Sequence, residues 1–198
     1  MADGPGDGAV DEVDPVFRAI VRARTWTDDD VLAIGPTPAR VEHVDGQLFI
    51  QPADGPEHDR LVERLADALA RSRPAGVEAV IRARVRLWPT HIRIPDVTLA
   101  RRGADPRVTE VPEVVLVAEV TAPGVFRHDT VEKHRDYAEA GIPFYVRVDF
   151  HLGVEELTGI AYELVDGEYA ELARAGDGVL RLARPWPVEI DLRAAASG

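Results

Sequence analysis

Three residues with the chemistry of a hydrolytic centre stand in the middle of this 198-residue chain: Asp96, Glu119 and Lys133. Both acids lie in apolar surroundings, Asp96 within Ile94-Pro95-Asp96-Val97 and Glu119 within Val115-Leu116-Val117-Ala118-Glu119-Val120. An unpaired charge is costly to bury, so acids in such runs call for a partner. Divalent cations such as Mg2+ prefer oxygen ligands, and Mg2+ commonly takes one or two carboxylates with water and substrate phosphate. Of 23 basic side chains all but Lys133 are arginine. An ammonium is a compact charge with a tunable pKa, where a guanidinium is a planar fork that stays charged. Beside a reacting oxygen, Lys133 would stabilise an attacking hydroxide or the charge developing on phosphorus. Tyr137 follows one helical turn later on the same face. The plainer reading takes each residue alone: Asp96 at a bend after proline, Glu119 ending a strand, Lys133 in solvent. The three together favour a site.

Other side chains are weaker candidates. Arg82, Arg84 and Arg86 alternate with apolar residues and are expected on one strand face, where they would contact phosphates or simply be solvated. His43, His91, His128, His134 and His151 have no zinc-like spacing and are read as having no role in a site. Trp26, Trp88 and Trp186 are scattered without basic interleaving, which suits core or lid positions better than a base-stacking platform.

The elements that must position these groups follow from periodicity. Residues 1–14, rich in Gly, Asp and Ala, read as a disordered acidic leader. A short helix is expected from Asp14-Pro15 through Val16, Phe17 and Ile20, and another over Asp28–Ile34, capped by Thr27. Val41–Ile50 predicts two strands around an Asp45-Gly46 turn. A helix over Glu57–Arg71, behind Pro56, carries Leu61, Leu65, Ala68 and Leu69 on one stripe. From Glu78 to Leu87 the period becomes two. Trp88-Pro89-Thr90-His91 turns the chain, and Ile92–Ala100 returns as a strand bearing Asp96. The apolar Val114–Val120 reads as a central strand buried on both faces. A helix capped by Asp129 or Thr130 runs to Ala140, Gly141 stops it, and Phe144–Asp149 follows as a strand, the order of a right-handed parallel crossover. Strands are expected near Gly159–Val165, Tyr169–Ala173, Val179–Leu182 and Val188–Leu192. Residues 15–193 are therefore read as one α/β (α+β) domain, with a mixed, curved central sheet, flanking helices and extra antiparallel strands at both ends, and 194–198 as a flexible tail.

Composition narrows the function. There is no cysteine, hence no disulfide or thiolate metal site, which fits a cytoplasmic setting. No apolar run is long enough for a membrane span. A net charge of −12 argues against a general nucleic-acid coat. Yet residues 56–103 hold ten arginines against six acids, so a locally positive face is expected.

The chain resembles the Uma-type putative restriction endonuclease family, within the restriction-endonuclease-like PD-(D/E)xK superfamily. The likeness extends from about Trp26 to Leu192. It rests on Val41-Glu42-His43-Val44-Asp45-Gly46, Pro56-Glu57-His58, Ile94-Pro95-Asp96-Val97, Ala118-Glu119-Val120 with Pro123, Asp129 and Lys133, then Tyr137, Gly141-Ile142-Pro143 and Val148-Asp149. The resemblance implies that Asp96 and Glu119 bind Mg2+ or Mn2+ and that Lys133, carried on the helix after the acid, is the catalytic base or charge stabiliser. It implies that Glu42 is an accessory metal-binding acid and His58 an active-site neighbour. Thr121 stands where the superfamily usually has its lysine. Ala122-Pro123-Gly124 and Phe144-Tyr145-Val146 depart from the family's usual hydroxyl-rich loop and aromatic strand. The expected protein is a metal-dependent hydrolase of phosphodiester bonds in nucleic acid, DNA first, with a homodimer compatible with the sequence. The alternative is a catalytically silent interaction domain on the same fold, and a third possibility is phosphoryl chemistry on a small nucleotide.

Overall fold

The computed structural model describes residues 25–35, 37, 39–51, 54–121, 127–149 and 157–193. The expected leader, the helix after Asp14, the Ala122-Pro123-Gly124 loop and the C-terminal tail lie outside these residues. Helix α1 (Asp28–Leu32) opens on a capping box in which Thr27 and Asp30 satisfy each other's backbone amides. Strands β1 (Arg40–Val44) and β2 (Gln47–Gln51) form the expected hairpin. Asp45 and Gly46 both adopt positive φ, 51° and 78°, as a tight hairpin turn of matching twist requires. A Cβ at Gly46 would approach Thr25 Cγ2 to 2.7 Å. Helix α2 (Pro56–Arg71) begins with proline at its first position, where no amide partner is lost.

Next come β3 (Val77–Ile81), β4 (Val85–Trp88), β5 (His91–Arg93), β6 (Val97–Arg101) and β7 (Thr109–Glu110). After them run β8 (Val114–Thr121), α3 (Arg127–Ala140) and β9 (Phe144–Asp149), then β10 (Thr158–Val165), β11 (Glu168–Arg174), β12 (Val179–Leu182) and β13 (Val188–Asp191). Among the described residues a six-stranded sheet runs β11-β10-β9-β8-β6-β3, and a five-stranded sheet runs β2-β1-β5-β4-β7. Strands β12 and β13 pair separately. β8 and β9 are parallel, with α3 as the crossover, and the other pairings of the larger sheet are antiparallel. The fold is the mixed α+β arrangement expected.

One face of the larger sheet packs on α2. Leu61, Val62, Leu65, Ala66 and Leu69 meet Val97, Leu99, Leu116, Ala118 and Val120 in one cluster. Each large aliphatic there is worth about 1.5–3 kcal/mol of burial. The second cluster joins Val117 and Tyr145 to Tyr137 of α3 and to Val85 and Leu87 of the smaller sheet. The site residues lie where the two sheets meet.

Three expectations need correction. The expected strand Ile92–Ala100 is two: β5 ends at Arg93 in the smaller sheet and β6 starts at Val97 in the larger, with Ile94-Pro95-Asp96 between them, where Pro95 has no amide for a ladder. The alternation from Ala79 to Leu87 is not one strand. It breaks at Arg82, a non-glycine residue at φ 55°, and resumes as β4 in the other sheet. Arg82, Arg84 and Arg86 therefore do not share a strand face. The break is held by Arg82, whose amide donates to the Asp96 carbonyl at 3.0 Å and whose guanidinium pairs with Asp54 and Asp59. Helix α3 begins at Arg127, so Asp129 and Thr130 lie inside it rather than at its cap.

Candidate active site

Asp96 sits just before β6. The antiparallel register of β6 on β8 pairs Val97 with Ala118, which sets Asp96 across from Glu119 one step along. α3 returns over the end of β8 and brings Lys133 and Tyr137 to Glu119. Lys133 Nζ is 3.3 Å from Glu119 Oε1 and 3.3 Å from Glu42 Oε1. The Tyr137 hydroxyl donates to Glu119 Oε1 at 2.6 Å. Glu42 arrives on β1, fully buried, and accepts from the Ile94 amide and Arg93 Nη1, both at 2.9 Å. Asp96, Glu119, Glu42 and Lys133 thus converge, and all four are buried.

His58, in the first turn of α2, is also here. Its Nε2 lies 3.0 Å from the Val120 carbonyl and 3.4 Å from Asp96 Oδ2. Arg82, Arg84 and Arg86 stand apart from one another. Arg84 donates to the Ile34 carbonyl at 2.8 Å, and Arg86 pairs with Asp28 and Glu110.

Several members of the cluster escaped sequence reasoning. Arg40 Nη2 bridges Asp96 Oδ1 at 2.6 Å and Asp54 Oδ2 at 2.9 Å. Arg93 is buried and joins Glu42 to Asp136, at 2.6 Å from Asp136 Oδ2. His91, read as having no role, places Nε2 3.1 Å from that oxygen. Two signals were available. Arg93 lies between Ile92 and Ile94, a charge inside an apolar triplet, and Asp136 follows Lys133 by three residues on the same helix face.

The electrostatics follow from crowding. Burial pushes the Glu119 carboxyl up, with the Asp96 charge acting in the same direction and Lys133 and Arg40 opposing. Asp96 goes the other way. Burial opposes its ionisation, but the His58 hydrogen bond, Arg40 and Lys133 together hold it well below the usual carboxylate range. Glu42 is also lowered, by Lys133 and Arg93 against its burial. Tyr137 is pushed well above its ordinary value by burial and then by Glu119 and Glu42, so its hydroxyl remains a donor.

The donor set fits a hard divalent cation. Glu42, Asp54, Asp96, Glu119 and Asp136 supply five carboxyls, interleaved with Arg40, Arg93 and Lys133. Carboxylate oxygens are the ligands such a cation prefers. Ligand atoms of Asp54, His58 and Asp96 all lie within 4.8 Å of one another. Glu119 Oε1 is held by the Tyr137 hydroxyl and by Lys133 Nζ.

Comparison with known proteins bears on the family and the fold. The family model Uma2, described as "Putative restriction endonuclease", matches residues 28–195. The fold is similar to the crystal structure of a putative nuclease belonging to DUF820 from Anabaena variabilis, with a TM-score of 0.61 at 14% identity, covering 86% of this chain and 99% of that one. No curated protein matches the sequence.

Proposed function

Since this chain belongs to the Uma2 family of putative restriction endonucleases, we propose that it hydrolyses phosphodiester bonds in nucleic acid, DNA first, with the help of Mg2+ or Mn2+. The observation that carries the reading is the juxtaposition of Asp96 and Glu119 across neighbouring strands, with Lys133 on the Glu119 carboxylate. Asp96 and Glu119 would hold the cation, with Asp54 and His58 beside Asp96 as further donors. Glu42 is the accessory acid: it accepts from Arg93 and the Ile94 amide, fixes Lys133 and stands beside the cation site. The cation would polarise a phosphoryl oxygen and lower the pKa of a water.

The chain's own residues supply the rest. Lys133 directs a positive charge into a buried site, where it is worth far more than in water, and steadies the negative charge that grows on the phosphoryl oxygens. Tyr137 fixes one oxygen of Glu119 and so aims the other. Burial raises the Glu119 carboxyl in the metal-free protein, so a bound cation would have to displace its proton and would be held more tightly as pH rises. Arg40 brings a second cation to Asp96, on the side facing the cleft. Among the described residues no helix is long and apolar enough to cross a membrane, which fits a soluble, cytoplasmic enzyme.

Calorimetric titration with Mn2+ tests the reading without any substrate. The parent should bind the ion and Asp96→Asn should bind it at least tenfold more weakly. Equal affinity in the two proteins would remove Asp96 from the metal site.

A further inference from the structure

A cleft of about 720 Å3 opens beside the acidic cluster, and its lining does not match the protein's acidic average. It runs between the β1 side of the smaller sheet and the β3–β6 edge of the larger. Arg40, Arg82, Arg84, Arg101 and Arg107 line it, against three acids, Asp54, Glu78 and Asp105. Arg40 also touches Asp96, so the cleft runs directly into the site described above.

The arginines are not equivalent. Arg82 and Arg107 are neutralised by their neighbours, Arg82 by Asp54 and Asp59 and Arg107 by Asp105. Arg84 is half-buried and donates to a carbonyl, that of Ile34. Burial alone lowers its pKa, with no carboxylate opposing. Arg101 is exposed and, among the described residues, engages no acid. Arg40, with a side chain only 8% exposed, is committed to Asp96 and Asp54. Two guanidiniums, Arg84 and Arg101, thus keep donors in reserve along one cleft. On the lining, Val80 and Ile81 are unusually exposed for large aliphatics, 38% and 42%.

We propose that this cleft binds a single strand of nucleic acid, with Arg84 and Arg101 on phosphates and Val80 and Ile81 against base faces. Resting on the nuclease reading, the inference assigns that activity an unpaired substrate. Charge and shape both favour a single strand over a duplex. A duplex carries a phosphate charge about every 1.7 Å of axis and a single strand about every 3.4 Å, so repulsion from an acidic protein weighs less on the single strand. A volume of about 720 Å3 falls in the range of small-ligand sites, roughly 300–1,000 Å3, too small for a duplex to enter. Base faces reach an apolar floor only when unpaired. Without an aromatic ring on the lining, binding should be modest and tolerant of sequence.

The test is fluorescence anisotropy of a labelled oligodeoxythymidylate, which cannot pair with itself, and of a blunt duplex of equal length, with EDTA present so that nothing is cleaved. The parent should bind the single strand more tightly than the duplex, with log K falling against log salt at a slope of about −1.4 for two phosphate contacts. Arg84→Gln and Arg101→Gln should each weaken binding several-fold and flatten the slope by about 0.7. Arg181→Gln, far away on β12 and paired with Glu189, should change neither. Arg101 is exposed, so its variant folds whatever Arg84 does for Ile34. No binding of the single strand, tighter binding of the duplex, or parent-like slopes in both variants would overturn the proposal. Cleavage assays separate it from the nuclease reading. Arginine-dependent binding without metal-dependent cleavage sinks the enzyme and keeps the cleft. Cleavage with an unchanged KM in Arg101→Gln and Arg84→Gln sinks the cleft and keeps the enzyme.

Discussion

The hydroxyl of Tyr137 donates to Oε1 of Glu119 at 2.6 Å, a contact between the crossover helix and the central strand that orients the acid from behind. This hydrogen bond lowers the Glu119 pKa, against the burial that raises it. Tyr137→Phe should therefore push the carboxyl higher still. Activity should fall at neutral pH and recover as pH rises, because the acidic limb of the pH–rate profile moves upward. Loss of a buried partner should also cost about 1–3 kcal/mol of stability. An unmoved acidic limb would show that Glu119 does not titrate in the reaction.

Lys133→Arg is the sharper substitution. Had Lys133 been solvated, arginine would be tolerated, since the two have similar helix propensity. It is buried instead, 3.3 Å from each of two carboxylates. A wider fork should turn onto Glu42 and Glu119 and lose its aim at the phosphoryl group, with turnover down roughly a hundredfold or more. Some loss of melting temperature should accompany it. Parent-like turnover would remove Lys133 from the mechanism.

Asp136 contributes to acid stability alongside Asp96 and Glu42. Its carboxyl is held down to about 2: burial opposes this, and hydrogen bonds from His91 and Arg93 together with the Arg93 charge outweigh it. A lowered folded-state pKa means stability that is fully present above the ordinary value of 3.8 and is lost as pH falls toward about 2. The contribution is about 2 kcal/mol. Asp136→Asn should be less stable at neutral pH and should lose less on acidification. Urea midpoints measured from pH 6 to pH 2 would show it, and parallel curves for the two proteins would contradict the assignment.

Most of the fold was legible in sequence, and the reasons are local. The Asp45-Gly46 turn, the stripe of α2 and the unbroken apolar run of β8 each declare themselves within a few residues. Lys133 and Tyr137 were placed together because four residues make one helical turn. The break at Arg82 was hidden, since Ala83 and Val85 continue the alternation and no glycine marks the left-handed residue. The ionic network was hidden for another reason: Arg40 meets Asp96 across 56 residues and Arg93 meets Asp136 across 43. Such pairs exist only once the two sheets and α3 have been brought together. Glu42 was reached through family resemblance, because nothing in a hairpin reveals which way an acid turns.

Asp54 tests how far the metal site extends toward the cleft. It is partly exposed and shares a potential ligand set with His58 and Asp96. Asp54→Asn should weaken Mn2+ affinity by roughly 10- to 100-fold, the usual loss for a supporting group, and leave the melting temperature of the metal-free protein nearly unchanged. Unaltered Mn2+ affinity would confine the ion to Asp96 and Glu119.

The central claim is that Asp96 and Glu119 form a metal-dependent phosphodiesterase centre. Its most direct measurement is cleavage of single- and double-stranded DNA and RNA with Mg2+ or Mn2+, comparing the parent with Asp96→Asn and Glu119→Gln. The account predicts cleavage by the parent that EDTA abolishes and that either substitution lowers by at least a hundredfold, with both variants still folded. No cleavage of any of these substrates with either metal, or equal cleavage by the parent and the Asp96→Asn protein, would contradict it.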